Sequence, residues 1–546
     1  MQDFIQTDFS SGMNLFSHDT KLSDTEYGLS FNILNRDSAL ECIKEDEEDI
    51  AAPVGKKQGL FAFDKYLVLF NQGLCFYREV DDTEWIQIDD IFVNPSVDYI
   101  FAQAVPASTF NFVRVLDIPN RIDGTSASTN VTTKNTLITT TNEGLVVQDG
   151  LSQGWFISPL AEATRLKKYL EWTQDDRTYV PIMRQMAYMN GILFGIAPDK
   201  RRILRSVSGR PLDFVVNVDV HGNKGGDANT TDYAVGYDAI NCLRPLNSGE
   251  LMVGTSRNLF PIEFNFDKVI FQEPTFLNRK PIYAGVINQE SFIDILGDYA
   301  FIDFDGLRSF NAVSMLTNEG RNSIFSILIA KAFAKIKQTT LTASIVFDNY
   351  AIFSVLTNFG NVLALYDTLR QKWASFVELE NPIKQFAVAD QSENPTLYAI
   401  TESKVFKLFS SSTRRTGILR PKAFNISRAD SELKLQNVRA VFDNPDVPAT
   451  ATATEVINNK EGESVVQELG KARQGIYYPV MYPVTFFDTR STDVVNFNFR
   501  QLGTTGWKVS PKLSWNNASK LLLLHTQVDE KNNTTSLDQQ SSLYNK

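Results

Sequence analysis

The sequence YLVLFNQGLCFY at residues 66–77 has two short apolar runs on either side of Asn71-Gln72-Gly73. Runs of this length joined by an Asn- and Gly-containing turn are typical of a β-hairpin. Trp85 follows after the polar pair Asp81-Asp82, so the pattern predicts a hairpin with a third strand.

This pattern of two apolar runs and a tight turn recurs along the chain. Further copies lie at 136–155, 186–214, 243–264, 299–310, 350–376 and 383–409. Comparable positions at Ala187, Leu251, Ala300 and Ala351 are separated by 64, 49 and 51 residues. Steps of this size are near the repeat length of four-stranded propeller blades, and the longest step contains a Gly-, Asn- and Asp-rich insertion at 221–234.

The predicted fold class is therefore all-β, a β-propeller of about six or seven blades with few helices. A doubly wound fold would need helices alternating with strands, and a solenoid would give closer identity between repeats. We expect an N-terminal extended arm at 1–58, the propeller at 59–410, a C-terminal β region at 411–528 and a flexible tail at 529–546.

Four segments outside the hairpin pattern are expected to form helices, loops or insertions. Apolar periodicity predicts helices at 160–172 and 322–336. The Ser- and Thr-rich segment 125–141 predicts a loop or a long edge hairpin. Segments 125–141 and 221–234 are long insertions, and long insertions on a rigid scaffold commonly carry function.

The composition describes a folded, acidic chain. Of 546 residues, 43% are hydrophobic, 12% aromatic and 21% charged, and the net charge is −11. Tight nucleic-acid binding is not expected, because that needs an excess of Lys and Arg. Residues 1–58 hold 12 acidic and 5 basic residues, and the acidic run 45–49 predicts a solvated connector.

The cysteines and histidines predict neither a disulfide framework nor a metal site. Cys42, Cys75 and Cys242 form no CxxC pair, and the three histidines lie far apart in the sequence. The residues indicate no cofactor. The first residues lack a signal-peptide pattern, and the most apolar helical stretch is too short to cross a membrane, so we expect neither secretion by signal peptide nor a membrane-spanning segment.

Three strings resemble catalytic or binding motifs. GLSQG at 150–154 matches the nucleophile elbow, but Trp155-Phe156-Ile157 predicts a strand where the elbow needs a helix. Asp303-Phe304-Asp305-Gly306 begins like a calcium loop but lacks its later acidic ligands, so a hairpin turn is favoured. Gly55-Lys56-Lys57 lacks the upstream glycine of a phosphate loop. We assign no catalytic, cofactor-binding or metal-binding residue.

Several strings resemble one known family. The clearest are DFSSGMN at 8–14, Leu22-Ser23-Asp24 with Glu26, and Asn32-Ile33-Leu34. SGELMVGT at 248–255, GDYAF at 297–301, DGLRSF at 305–310 and Tyr366-Asp367-Thr368 with Trp373 follow in order. Together they resemble the tail nozzle proteins of short-tailed bacteriophages, also called tail tubular protein B or packaged-DNA stabilisation proteins. The Arg-Pro-Gly that often closes this family's arm is replaced here by Arg36-Asp37-Ser38.

The resemblance implies a structural virion protein and not an enzyme. It implies a homohexameric ring or tube in the virion tail, assembled in the host cytoplasm, that retains packaged DNA and lets it pass at ejection. The implied partners are further copies of the chain, tail adaptor, tubular or portal-proximal ring proteins, tail fibre or other tail proteins, and viral double-stranded DNA that passes without specific binding. Two alternatives remain: a non-catalytic propeller module that binds a protein or glycan, and a propeller glycoside hydrolase with paired carboxylates.

Overall fold

The computed structural model describes most of the chain, with gaps. The described residues are 2–15, 17–36, 39–63, 66–88, 100–105, 136–141, 145–146, 152–153, 155–157, 166–168, 185–197, 199–206, 217–218, 224–225, 229–231, 238–263, 282–295, 297–304, 306–310, 327–333, 341–389, 394–427, 431–443, 449–469, 492–501, 504–516 and 519–532.

Seven short strands occupy the first 48 residues. They are β1 Gln2–Gln6, β2 Gly12–Met13, β3 Glu26–Tyr27, β4 Leu29–Phe31, β5 Ile33–Arg36, β6 Ala39–Cys42 and β7 Glu47–Glu48.

The middle of the chain consists of small antiparallel sheets. Its strands are β8 Lys57–Phe63, β9 Tyr66–Asn71, β10 Leu74–Glu79, β11 Ile86–Ile88, β12 Ile100–Val105, β13 Thr136–Thr141, β14 Leu145–Val146, β15 Ser152–Gln153, β16 Trp155–Ile157, β17 Leu166–Lys168, β18 Met186–Met189, β19 Ile192–Ile196, β20 Ile203–Arg205, β21 Asn217–Val218, β22 Lys224–Gly225, β23 Asn229–Thr231, β24 Ile240–Pro245, β25 Glu250–Thr255, β26 Leu259–Glu263, β27 Phe292–Ile295, β28 Asp298–Asp303, β29 Gly306–Ser309, β30 Ala343–Phe347, β31 Tyr350–Thr357, β32 Gly360–Asp367, β33 Lys372–Glu378, β34 Gln385–Ala389, β35 Thr396–Ile400 and β36 Val405–Lys407.

The last part of the chain adds longer strands. They are β37 Gly417–Arg420, β38 Phe424–Asn425, β39 Ser431–Asp443, β40 Ala449–Ile457, β41 Lys460–Leu469, β42 Thr492–Asn498, β43 Thr505–Gly506, β44 Lys508–Trp515 and β45 Lys520–Asn532. Strand β45 continues through Asn532, four residues into the segment predicted to be a flexible tail.

Seven sheets follow one another along the middle of the chain, and we call them blades 1 to 7. In order, they are β8–β11, then β12-β13-β16-β17, then β18-β19-β20-β23, then β24–β26, then β27–β29, then β30–β33, and finally β34–β36 with β7. The all-β prediction is confirmed, and seven sheets agree with the predicted six or seven blades.

The blades contact one another in a ring through their first strands. Strand β8 contacts β12, β12 contacts β18, β18 contacts β24, β27 contacts β30, and β30 contacts β34, which returns to β8. A shared hydrophobic cluster joins blades 4 and 5, and another joins blades 1 and 7. The arrangement is propeller-like, since neighbouring sheets face each other around a closed circuit.

The C-terminal strands and the first 48 residues form two larger sheets. In the first, β39 and β45 pair centrally, and β1, β5, β6, β42 and β43 complete it. The second runs outward from blade 6, where β4 lies between β33 and β37 and leads to β44, β40 and β41. The largest hydrophobic cluster fills the space between these sheets and blade 6 and includes Trp373 and Trp515.

The helix predicted at 160–172 is wrong where the structure describes the residues, and within 322–336 the described residues form only a short 3-10 helix. Leu166–Lys168 is strand β17 of blade 2, and the six residues Ile327–Ala332 form a 3-10 helix. The described residues contain two other 3-10 turns, Asp19–Lys21 and Gln289–Ser291. At 166–168 the pairing with β16 prevails over the apolar helical periodicity.

Candidate functional site

The beginning of the chain docks on blade 6, and this is where two of the family-like strings meet. Strand β2 runs parallel to β3, with Gly12 opposite Glu26 and Met13 opposite Tyr27. Phe9, Met13 and Tyr27 are fully buried in the largest hydrophobic cluster. We call residues 8–32 the docked arm.

Gly12 fixes how closely the arm approaches blade 6. Its φ is +73°, and a Cβ atom at this position would lie 2.4 Å from the carbonyl oxygen of Trp373. Glycine adopts this φ without steric cost, and only glycine leaves space for that backbone oxygen. The glycine of the string at 8–14 therefore meets the tryptophan of the string at 366–373.

Hydrogen bonds join the two strings within the arm. The Asn14 side-chain amide donates to Glu26 Oε1 at 2.9 Å, and the Ser23 backbone N–H donates to Glu26 Oε2 at 2.9 Å. Ser11 and Thr25 share a hydrogen bond of 2.6 Å. Burial alone raises the pKa of the Glu26 carboxyl, but the hydrogen bonds from Ser23 and Asn14 outweigh it and hold the pKa below its usual range.

Further bonds tie the arm to the backbone of β33. The Tyr27 hydroxyl donates to the Ala374 carbonyl at 2.7 Å, and the Ser30 hydroxyl donates to the same oxygen at 2.9 Å. The Asn32 N–H donates to the Phe376 carbonyl at 2.7 Å. Burial raises the pKa of the Tyr27 hydroxyl, which therefore stays a neutral donor.

The remaining family-like strings lie elsewhere. SGELMVGT forms the turn and second strand of blade 4, and residues 297–310 contain the β28–β29 hairpin of blade 5. Tyr366 and Trp373 pack edge to face with ring centroids 5.1 Å apart, beside the arm. The structure thus brings the arm strings and the late-blade string together and leaves the three middle strings in blades 4 and 5.

The acidic run at 45–49 closes the ring of blades and is not a mere connector, although Glu45, Glu47 and Glu48 are exposed, as a solvated run would be. Strand β7 pairs with β36 as the fourth strand of blade 7. Asp46 accepts from Arg415 at 2.5 Å, and Glu48 accepts from Lys404 at 2.6 Å. Asp49 accepts from Arg78 of blade 1 at 2.9 Å, with both side chains at least nine-tenths buried. The sequence predicted solvation because the charges of the run repel one another. Three of its five carboxylates, those of Asp46, Glu48 and Asp49, pair with basic residues distant in sequence.

Two buried lysines lie at the same seam between blades 1 and 7. The Lys57 ammonium donates to the Pro53 carbonyl and, at 3.1 Å, to Asn71 Oδ1. The Lys384 ammonium donates to the Lys57 carbonyl at 2.9 Å. Burial lowers the pKa of each to about 8. Their charged forms therefore oppose folding at neutral pH.

Replacing Lys384 by methionine tests this charge. The variant's advantage in free energy of unfolding over the natural chain is expected to be largest below pH 8. It should shrink by about 1.4 kcal/mol per pH unit between pH 8 and 10, because the native lysine loses its proton there while the unfolded lysine keeps it. Urea unfolding of both chains across this range measures the difference. A pH-independent difference would contradict a lowered pKa at Lys384.

The catalytic-looking strings have structural roles in the described residues. Ser152 lies in β15, and Trp155–Ile157 is strand β16, so the predicted strand after the elbow-like string is confirmed. Asp303 and Gly306 pair across the predicted hairpin turn, and Asp303 accepts from Arg308 at 2.5 Å. Of the two long insertions named from the sequence, 136–141 is strand β13, paired on both sides within blade 2. Residues 125–135 lie outside the described part, as does most of 221–234.

Cys42, Cys75 and Cys242 are free and buried, and burial raises the pKa of Cys42 and Cys242 to about 12. Within the residues that the structure describes, no three His, Cys, Asp or Glu side chains cluster as metal ligands. No helix in the described ranges has the length and apolarity to cross a membrane.

Comparison with known proteins yields only weak structural likeness. Neither a family model nor a curated protein matches the chain. Two crystal structures of the extracellular domain of BT4673 from B. thetaiotaomicron are similar to it. One is 11% identical with a TM-score of 0.38, over 74% of this chain and 43% of that one. The other is 10% identical with a TM-score of 0.35, over 75% and 43%. The chain thus spans less than half of these proteins, and likeness at this level carries no functional argument.

Proposed function

We propose that the chain is a tail nozzle subunit of a short-tailed bacteriophage. In this proposal it assembles as a homohexameric ring or tube at the end of the tail, holds the packaged genome in place and lets it pass at ejection. Its role is structural, and its partners are further copies of itself and the neighbouring ring and fibre proteins of the tail.

The convergence of the family-like strings supports this proposal. Gly12 approaches Trp373, and Asn14 and Ser23 meet on Glu26, although these residues belong to three separate strings. Unrelated short matches would be expected to scatter over the fold. Here three of the strings form one contact network, as expected if they are the fixed parts of a common arm-docking arrangement, while the strings at 248–255, 297–301 and 305–310 lie in blades 4 and 5.

The charge and the closed ring are compatible with a DNA conduit. A net charge of −11 lets duplex DNA slide past without tight phosphate contacts. The buried Asp49–Arg78 pair and the β7–β36 pairing lock blade 7 to blade 1. A subunit closed in this way resists opening when its neighbours pull on it.

Electron microscopy of the purified full-length chain tests the proposal. Negative-stain images and mass photometry are expected to give a six-fold ring with a central opening and no measurable binding of duplex DNA at physiological salt. A chain that stays monomeric at every concentration and binds a sugar saturably would instead be a recognition module. Substrate turnover that is lost on changing one carboxylate would identify a hydrolase.

A further inference from the structure

A cavity of about 250 Å³ lies where the first residues of the chain meet blades 6 and 7. Its walls come from the β5–β6 hairpin, from the turn between β30 and β31, and from residues 409 and 414 after blade 7. The cavity lies outside the Gly12–Trp373 contact, and the arm hydrogen bonds described above do not involve its lining.

The floor of the cavity is apolar. Its side chains belong to the hydrophobic cluster that joins blades 6 and 7. They are Leu34, Ile43, Phe347, Ile352, Leu365 and Phe409. Tyr350 also lines the floor, and its hydroxyl already donates to the Asn35 carbonyl at 3.3 Å. The floor therefore offers van der Waals contact and no free hydroxyl donor.

The mouth of the cavity carries an excess of positive charge. Arg414 donates to Glu41 at 2.5 Å and to the Cys42 carbonyl at 2.5 Å, so this pair is internally neutral. Arg36, Lys44 and Asp348 also line the cavity, and all three are exposed. Among the described residues, Arg36 and Lys44 have no ion-pair partner. Two unpaired cations against one carboxylate leave a net charge of +1.

We propose that this cavity binds a small amphipathic anion, an apolar body of about the size of one aromatic ring with a single carboxylate head. The apolar floor would hold the body, and one of the two exposed cations, Arg36 or Lys44, would hold the head by a charge-assisted hydrogen bond. The volume lies below the roughly 300–1,000 Å³ of sites for drug-sized ligands, which limits the ligand to one ring or a short chain. The site is independent of the proposed assembly role.

Phenylacetate and its neutral isostere phenylacetamide are suitable probes. Saturation-transfer NMR and calorimetry on the full-length chain are expected to show saturable, millimolar binding of phenylacetate, the strength expected of such a small ligand. The double variant Arg36→Met/Lys44→Met should bind phenylacetate roughly tenfold more weakly and should bind phenylacetamide with nearly unchanged affinity. Lys460→Met, an exposed cation on β41, is the matched control and should change neither.

A second variant tests the floor. Leu34→Trp fills the cavity and is expected to abolish binding of both probes, with an unchanged thermal midpoint as the folding check. Absence of saturable phenylacetate binding to the natural chain would overturn the proposal. Equal phenylacetate affinity in the natural chain and the Arg36→Met/Lys44→Met variant would overturn it as well. Neither result depends on whether the chain forms a ring.

Discussion

Gly12→Ala is expected to lower the free energy of unfolding by about 3 kcal/mol or more and to release the arm from blade 6. An L-residue at a φ of +73° costs roughly 1–2 kcal/mol, and the added methyl would lie 2.4 Å from the Trp373 carbonyl oxygen. Relieving this overlap requires a backbone shift, which adds roughly 1–3 kcal/mol. Denaturant unfolding measures the loss, and faster tryptic cleavage after the exposed Lys21 reports arm release.

Gly249→Ala is the matched control for backbone strain. Gly249 has a φ of +81° in the turn before β25, but a Cβ there would meet no atom within 4 Å. We expect only the strain cost of roughly 1–2 kcal/mol and no change in cleavage at Lys21. If Gly12→Ala and Gly249→Ala lose the same free energy of unfolding and trypsin cleaves both after Lys21 at the same rate, the close contact between the arm and blade 6 is not the reason that position 12 needs glycine.

Asp49→Ala is expected to cost about 3–5 kcal/mol, because it leaves Arg78 buried without its carboxylate. The two side chains are 9% and 7% exposed and lie 2.9 Å apart. Asp49 also accepts from the Trp85 indole at 3.2 Å, and the Arg78 guanidinium lies 4.6 Å from the Trp85 ring. Loss of this carboxylate therefore loosens the whole contact between β7 and blade 1.

Comparison with Glu48→Ala, one residue earlier, separates the effect of leaving a buried charge unpaired from the effect of removing a carboxylate. Glu48 and Lys404 are 43% and 44% exposed, and such a pair contributes at most about 1 kcal/mol. Adding Arg78→Met to Asp49→Ala should recover part of the lost stability, since no buried charge is then unpaired. Equal losses for Asp49→Ala and Glu48→Ala, or no recovery in the double variant, would exclude the buried pair as the lock of the ring.

Local patterns predict most of the blades. The hairpins at 66–77 and 299–310 are visible in the sequence because apolar runs and tight Asn- and Gly-containing turns are set by neighbouring residues. In the C-terminal β region, apolar and polar residues alternate from Leu433 to Phe442, which is a local strand signal of the same kind, and β39 lies there. These signals need no knowledge of the rest of the chain.

The structural features that the sequence did not predict depend on contacts between residues that are distant in sequence. Glu47 and Glu48 have no strand signal, and they are a strand because β36 offers an edge more than 350 residues later. The acidic run looks solvated until Arg415 and Lys404 are known to face it. Likewise, nothing near Gly12 indicates that its neighbour is Trp373. The docked arm and the cavity depend on such pairings, so their sequence signals are limited to the family-like strings.

The pairing of β1 with β45 has a consequence for the order of events during synthesis. Gln2 lies opposite Val528, so β1 is synthesised long before its partner strand. At roughly 5–20 residues per second, translation from Gln2 to Val528 takes roughly half a minute to two minutes. During that interval β1 lacks its partner strand β45, and chaperone binding or premature association between polysomal chains would act on this segment first.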